Sequence, residues 1–345
     1  MSRLLEKYHL KCREIIYLIT GETFWRSDSR IVLPKYVVKG GECRNVMFSW
    51  QTADSLPNLT SHLTVSKKLN RQVIEVDLRE AETIYDPVDR LCSILNHETD
   101  NFFHEKLSEL VSLLENAGVN VSDIGITGSV LTSTHTPSSD IDLVIYGESN
   151  MQSLLSNLHK LLNGKRVRRL NSDDCWFSTL YKKRKRHFHS LNARYFLFHE
   201  KRRLQGMIDN VRFVVAFLRK KTPDYLSSIN EIMPICPVKL EGVVSSSVVS
   251  GYDPSILRLT VKKMVSQAET KFAGQLPGLV GKSIWCALYH PVYSVFYMPN
   301  DKVTIEGMLE RLATDSFEEE YQVAIRYSDR SWHQVQIAEN DKSLW

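Results

Sequence analysis

The segment Ile124 to Tyr146 constrains this chain more than any other. It reads as a short strand, Ile124 to Thr127, then a tight turn at Gly128-Ser129. Ten further residues lead to a strong strand, Ile141 to Tyr146, which is entered through Asp140 and carries Asp142. Side chains alternate along a strand, so Asp140 and Asp142 share a face. Two carboxylates placed that way repel each other unless a divalent cation sits between them. Hard oxygen ligands suit Mg²⁺ or Mn²⁺, which also takes phosphate oxygens. Gly128 lets the backbone approach a bulky anion, and the Ser129 hydroxyl with neighbouring N–H groups offers donors to phosphate. The pattern implies a metal–triphosphate site, where two metals stabilise the attacking and leaving oxygens of an in-line displacement.

The rest of the chain is read around that segment. At 345 residues, two or three domains are expected. Leu4, Leu5, Tyr8, Cys12, Ile15, Ile16 and Ile19 recur at about i, i+3, i+4, which predicts an amphipathic helix over 1–20. Strands are predicted at Arg30 to Val38, Arg44 to Trp50 and Gln72 to Asp77, with a turn at Gly40-Gly41. Helical spacing marks 88–118 and 150–163. Further strands are predicted at Val167 to Leu170, Ala193 to Phe198 and Val211 to Leu218. After Thr222-Pro223 the chain turns strand-rich, with Val292 to Tyr297 among the expected strands. The expected organisation is a small N-terminal α/β unit (1–87), a mixed α/β domain (88–222) and a C-terminal all-β, barrel-like domain (223–345), an OB-like or other small barrel. The fold class is α+β.

Gly128, Ser129, Asp140 and Asp142 in this setting resemble the nucleotidyltransferase superfamily that contains DNA polymerase β, poly(A) polymerases, CCA-adding enzymes and antibiotic nucleotidyltransferases. The stretch IGITGSVLTSTHTPSSDIDLVIYG, with YDPVDRL before it, is similar to a mostly archaeal family of nucleotidyltransferases. The resemblance is sharp over about 60 residues. It implies a nucleotidyltransferase-fold mixed sheet with helices and transfer of a nucleoside monophosphate from an NTP, with Mg²⁺ or Mn²⁺, to an acceptor hydroxyl. Asp140 and Asp142 would bind metal, while Gly128 and Ser129 would position the triphosphate. The superfamily usually adds a third carboxylate on a later strand. Asp209, at the entry to Val211–Leu218, is the candidate. Strict alternation, however, puts it on the face of Val211, Phe213 and Val215 and turns Arg212 to the cleft, unless a bulge intervenes at Asp209-Asn210. Asp173-Asp174 is the weaker alternative. His135, in the loop before Asp140, either touches phosphate or acceptor or orders the loop. Thr132 and Ser133 replace the Arg and Gly of small bacterial relatives, which argues against a simple antibiotic-type transfer.

Net charge is only +4, from 44 basic and 40 acidic residues. It is unevenly spread. Lys165 to Arg203 holds thirteen bases and three acids, interleaved with aromatics such as Trp176, Tyr181 and Phe188. That composition suits a nucleic-acid backbone with stacking bases, a triphosphate, or a merely solvated basic face. The expected acceptor is RNA, such as tRNA, held by 165–203 and the C-terminal domain. Transfer to a protein or small molecule, or an inactive RNA-binding module, are the alternatives. The six cysteines are scattered without a CxxC pair, which fits a reducing cytoplasm. No run of about 18 apolar residues predicts a membrane span. Gly281-Lys282-Ser283 resembles the end of a phosphate-binding loop, but Leu276 stands where its first glycine belongs.

Overall fold

The computed structural model of the chain describes residues 7–20, 28–46, 56, 58–98, 102–161, 165–170, 175–185, 196, 199–221, 224–267, 278–289, 293, 295–315, 319–326 and 334–337. It is mixed α+β and divides into two compact units. One holds Met1–Thr64, Val73–Leu170 and Leu204–Thr222; the other holds Val65–Gln72, Asn171–Arg203 and Pro223–Trp345. The division does not fall at residue 87. The N-terminal strands are part of the same unit as the Asp140/Asp142 segment.

The first correction lies at the N-terminus. Residues 9–19 form a hairpin, β1 (His9–Cys12) and β2 (Ile15–Ile19), not a helix. Helical spacing misled because two short paired strands bury Leu10, Cys12, Ile15, Tyr17 and Ile19, and that set also fits i, i+3, i+4 in places. The β-branched run Ile15-Ile16 and burial of all five β2 residues favour strand. β3 (Ser29–Lys39) pairs with β2 and turns through Gly40-Gly41, both at positive φ, into β4 (Glu42–Asn45). β5 (Leu63–Ser66), β6 (Arg71–Asp77) and β7 (Thr83–Tyr85) complete a sheet of order β5-β6-β3-β2-β1-β7, with β4 on β3.

Helix α1 (Pro87–His97) starts sharply. Asp86 accepts from the Val88 and Asp89 N–H groups, Pro87 opens the first turn, and Tyr8 Oη donates to Asp86 at 2.5 Å. Helix α2 (His104–Asn116) buries Leu107, Leu110, Val111 and Leu114, and Gly118 follows it at positive φ. The second sheet runs β10-β11-β12-β9-β8, from β8 (Ile124–Thr127), β9 (Ile141–Tyr146), β10 (Val167–Arg169), β11 (Gln205–Ile208) and β12 (Val211–Leu218). β12 runs parallel to β9; the other pairs are antiparallel. Short helix α3 (Gly128–Leu131) follows β8, and α4 (Glu148–Ser156) and α5 (Leu158–Leu161) follow β9. Val144, Tyr146 and Leu218 of this sheet share one core with Tyr8, Leu10, Tyr17, Ile19 and Val76 of the first.

In the other unit, α6 (Cys175–Lys185) carries part of the basic stretch. Phe196 is helical rather than extended, and the rest of the strand expected at 193–198 lies outside the described residues. The strands are β13 (Ile229–Val249), β14 (Ser255–Gln267), β15 (Ser283–Leu288), β16 (Lys302–Thr314), β17 (Glu320–Ile325) and β18 (Gln334–Ile337). Their order is β13-β14-β15-β17-β16-β18, and β16 also pairs with β13. β15 and β17 are parallel. Where a strand was expected at 292–297, Tyr293 and residues 295–297 form none; Tyr293, Val295 and Tyr297 fill the core instead. The fully buried Glu310 receives Arg71, Gln322 Nε2 (2.6 Å) and Arg326 Nη2 (3.0 Å).

Two outcomes follow from these cores. His9 is buried and its pKa falls to about 3, through lost hydration first and then the Lys35 and Lys7 charges. The unfolded chain takes up that proton first. The stability contributed by neutral His9 is therefore complete above about pH 6.5 and lost as pH falls toward 3. Denaturant titrations across this window should show a loss on the order of a few kcal/mol, and His9→Gln should flatten it; an unchanged slope in the variant refutes the assignment. Glu310→Ala removes the buried carboxylate that the buried Arg326 and the partly buried Arg71 share and should cost ~3–5 kcal/mol, read by chemical denaturation.

Candidate active site

Strand alternation puts Asp142, Val144 and Tyr146 on one face of β9, with Asp140 at its entry on the same side. Val144 and Tyr146 are covered by the first sheet, so the carboxylates lie where that cover ends. Asp142 faces Thr127 of β8 and Val214 of β12 across the two ladders. Gly128 stands at φ +66°, and a β-carbon there would come within 2.5 Å of Asp142 Oδ2. Both the backbone conformation and the space demand glycine. Ser129 follows, half-buried at the start of α3, and its carbonyl accepts the Thr134 N–H at 2.9 Å.

The loop between α3 and β9 closes the site from one side and β3 from another. Thr132 and Thr134 share a hydroxyl hydrogen bond at 3.0 Å, and both hydroxyls act on the Tyr36 phenol to lower its pKa. Burial pushes Tyr36 up to about 12, and the nearby Asp142 charge adds to it. Lys35 Nζ lies 5.9 Å from the Tyr36 ring centre, and Thr127 Oγ1 donates to the Lys7 carbonyl at 3.4 Å. Burial raises the Asp142 pKa. Arg212 opposes that rise, Asp140 adds to it, and Lys35 and Lys7 pull it back. Lys7, Lys35 and Tyr36 were not foreseen. Alternation in Arg30–Val38 was legible, but nothing local says which sheet that strand approaches.

Arg212 of β12 donates from Nη1 to Asp140 Oδ2 at 2.8 Å. Gln205 of β11 accepts from Arg212 Nε at 3.3 Å and Nη2 at 2.7 Å. Alternation on β12 thus holds, and the arginine faces the carboxylates. Asp209 is not brought to them. It occupies the turn between β11 and β12 at φ +50°, and Arg166 grips it with Nε at 2.9 Å and Nη2 at 2.5 Å. That grip lowers the Asp209 pKa. Along the strand, Asp209 stands five positions before Val214, roughly 15 Å from the residue facing Asp142. Asp173-Asp174 lie outside the described residues. His135 packs its ring 5.4 Å from that of the buried Phe103. Burial and then Arg90 lower its pKa. This placement sets the loop beside Phe103, the residue that precedes α2.

Two carboxylates on one face, one of them seated in the space a glycine leaves, suit a hard divalent cation. Among the described residues, no group of three or more His, Cys, Asp or Glu side chains converges to hold one. The basic stretch is not one element either. Lys165 to Leu170 belong to one compact unit and 171–203 to the other. Among the described residues, Arg166 is committed to Asp209 and Glu109, Arg202 to the buried Asp301, and Arg203 to Glu200. Lys182 and Lys185 on α6 are exposed. No described helix is long and apolar enough to cross a membrane.

Comparison with known proteins agrees with this geometry. Residues 105–204 match the nucleotidyltransferase domain family, from the start of α2 to the residue before β11. Uncharacterized protein MJ1086 of Methanocaldococcus jannaschii is 35% identical over 117 residues. The matched part is 34% of this chain and 34% of that protein, so the chain spans about a third of its relative's length. No solved structure matches. On the family match and the geometry of β8, α3 and β9, the chain carries a nucleotidyltransferase domain of the DNA polymerase β type.

Proposed function

We propose that the chain is a Mg²⁺-dependent nucleotidyltransferase that moves a nucleoside monophosphate from an NTP to an acceptor hydroxyl on RNA, such as tRNA. The observation that carries this reading is the Asp140/Asp142 pair on one face of β9, with Asp142 seated against Gly128. In the reaction the acceptor oxygen bonds to the α-phosphorus and the bond to the bridging oxygen breaks. Pyrophosphate leaves, and the hydroxyl proton is released. Asp140 and Asp142 would hold the cation, which supplies Lewis acidity to the phosphates. Ser129 offers its hydroxyl to the triphosphate, and Lys7 and Lys35 add positive charge beside Asp142. Asp209 is left out, because Arg166 holds it.

The RNA acceptor is supported by the C-terminal strands. Their ladders run from β13 through β14, β15, β17 and β16 and back to β13, with β15 and β17 parallel. We read this ring as a five-stranded Greek-key barrel of the oligonucleotide-binding kind. On β14 and β15, Arg258 lies 4.4 Å over the Trp285 ring, with Lys262, Lys263 and Lys282 exposed nearby in sequence. Cations beside an aromatic ring suit a single strand. The free cysteines Cys12, Cys43, Cys92, Cys236 and Cys286 support a reducing, cytoplasmic setting.

The test is incubation with each α-labelled NTP, Mg²⁺ and either RNA or protein acceptors. Label should enter RNA and require Mg²⁺. The Asp140→Ala/Asp142→Ala double variant should lose at least on the order of 10³-fold, and Gly128→Ala on the order of 10²-fold by displacing Asp142. Asp209→Asn should stay within a few-fold of wild type. Normal transfer by the double variant overturns the reading. Label entering protein keeps nucleotidyl transfer and replaces the acceptor.

A further inference from the structure

The strand beside β9 carries an arginine where the resemblance leads one to expect a carboxylate. Arg212 is 8% exposed, and its guanidinium is set from two sides, by Gln205 behind and Asp140 in front. Gln205 is itself buried and faces Val214 across the β11–β12 ladder, so the support is part of the sheet. A guanidinium cannot give up its proton at working pH, so its charge is permanent. The position therefore adds a fixed cation to the carboxylate pair.

Charge balance then decides how many metals the site accepts. Three carboxylates with two divalent cations carry a net +1 before the triphosphate enters. Among the described residues the site holds two carboxylates and a guanidinium, which with two divalent cations would carry +3, an excess that Lys7 and Lys35 beside Asp142 enlarge, whereas with one divalent cation the carboxylates and guanidinium carry +1 again. The Arg212 hydrogen bond also occupies Asp140 Oδ2, one of the oxygens a second metal would need. We propose that this site works with a single divalent cation and that Arg212 is a catalytic residue in the place of the second. The inference rests on the nucleotidyl-transfer reading above. Arg212 would meet the charge that builds on the transferred phosphate as the acceptor oxygen bonds to the α-phosphorus, the bridging oxygen departs with pyrophosphate and the acceptor proton passes to solvent.

The test is electron paramagnetic resonance of the full chain with excess Mn²⁺ and the α,β-methylene analogues of the four NTPs in turn. Wild type should show protein-bound Mn²⁺ with an uncoupled, mononuclear signal. Arg212→Asp, which puts a carboxylate at that position, should show a spin-coupled pair. A coupled pair in wild type overturns the proposal. No protein-bound Mn²⁺ in wild type overturns the nucleotidyl-transfer reading and this inference with it. Arg212→Gln guards against misfolding of the aspartate variant, because glutamine keeps a donor toward Asp140 without charge. It should bind Mn²⁺ several-fold more tightly than wild type yet transfer nucleotide on the order of 10²-fold more slowly, with KM little changed. A merely structural arginine would weaken metal binding and rate together, and that result also refutes the proposal.

Discussion

The contact between Asp142 and Gly128 governs the geometry of the site. A carboxylate can sit half-buried on an interior strand of a sheet only if something makes room for it and something answers its charge. Room comes from the missing β-carbon of Gly128, which turns the chain at positive φ directly beneath Oδ2. Charge is answered from three separate strands or strand approaches: Arg212 on β12, Lys35 on β3 and Lys7 before β1. The raised Asp142 pKa shows that lost hydration still outweighs these cations. A carboxylate pair short of hydration in this way is suited to a hard cation, which would replace the lost water.

The same alternation that pairs the carboxylates also commits the rest of β9. Val144 and Tyr146 continue their face and need apolar cover, which the first sheet supplies. This links the N-terminal strands to the chemistry. The sheet that buries Val144 also brings Tyr36 and Lys35 up to Asp142. Separating residues 1–87 as an independent unit would therefore uncover one half of β9 and remove two cations from the other.

How much of this was legible follows from where the information lies. The β8–turn–β9 segment was readable because each part is locally specified: an apolar strand, a glycine-dependent turn and aspartates two apart. Helices α1 and α2 and strand β12 were readable for the same reason. The β1–β2 hairpin was not, since two paired strands only four and five residues long can imitate one turn-and-a-half of helical spacing. Long-range partners were illegible in principle. Lys7 and Lys35 meet Asp142 through sheet packing, and Arg202 meets Asp301 across 99 positions. The basic stretch has the same limit: its charge is legible in the sequence, but its division between two units and the pairing of Arg166, Arg202 and Arg203 with carboxylates depend on distant parts of the chain.

Asp209 and Arg212 show which sequence rule was the stronger. Residue type favoured the aspartate; strand period favoured the arginine. Strand period won because it is enforced by packing: turning Asp209 toward the cleft would shift β12 by one residue and carry the buried Phe213 and Phe217 to the wrong face. Each of those rings is worth ~2 kcal/mol or more in burial, whereas the exposed Asp209–Arg166 pair adds little. The core therefore fixes the register, and the register fixes an arginine beside Asp140. The same reasoning explains why Gln205 faces that arginine: it lies opposite Val214, which alternates with Arg212 on the cleft side of the sheet. The charge balance of the site is thus decided by the apolar side of β12.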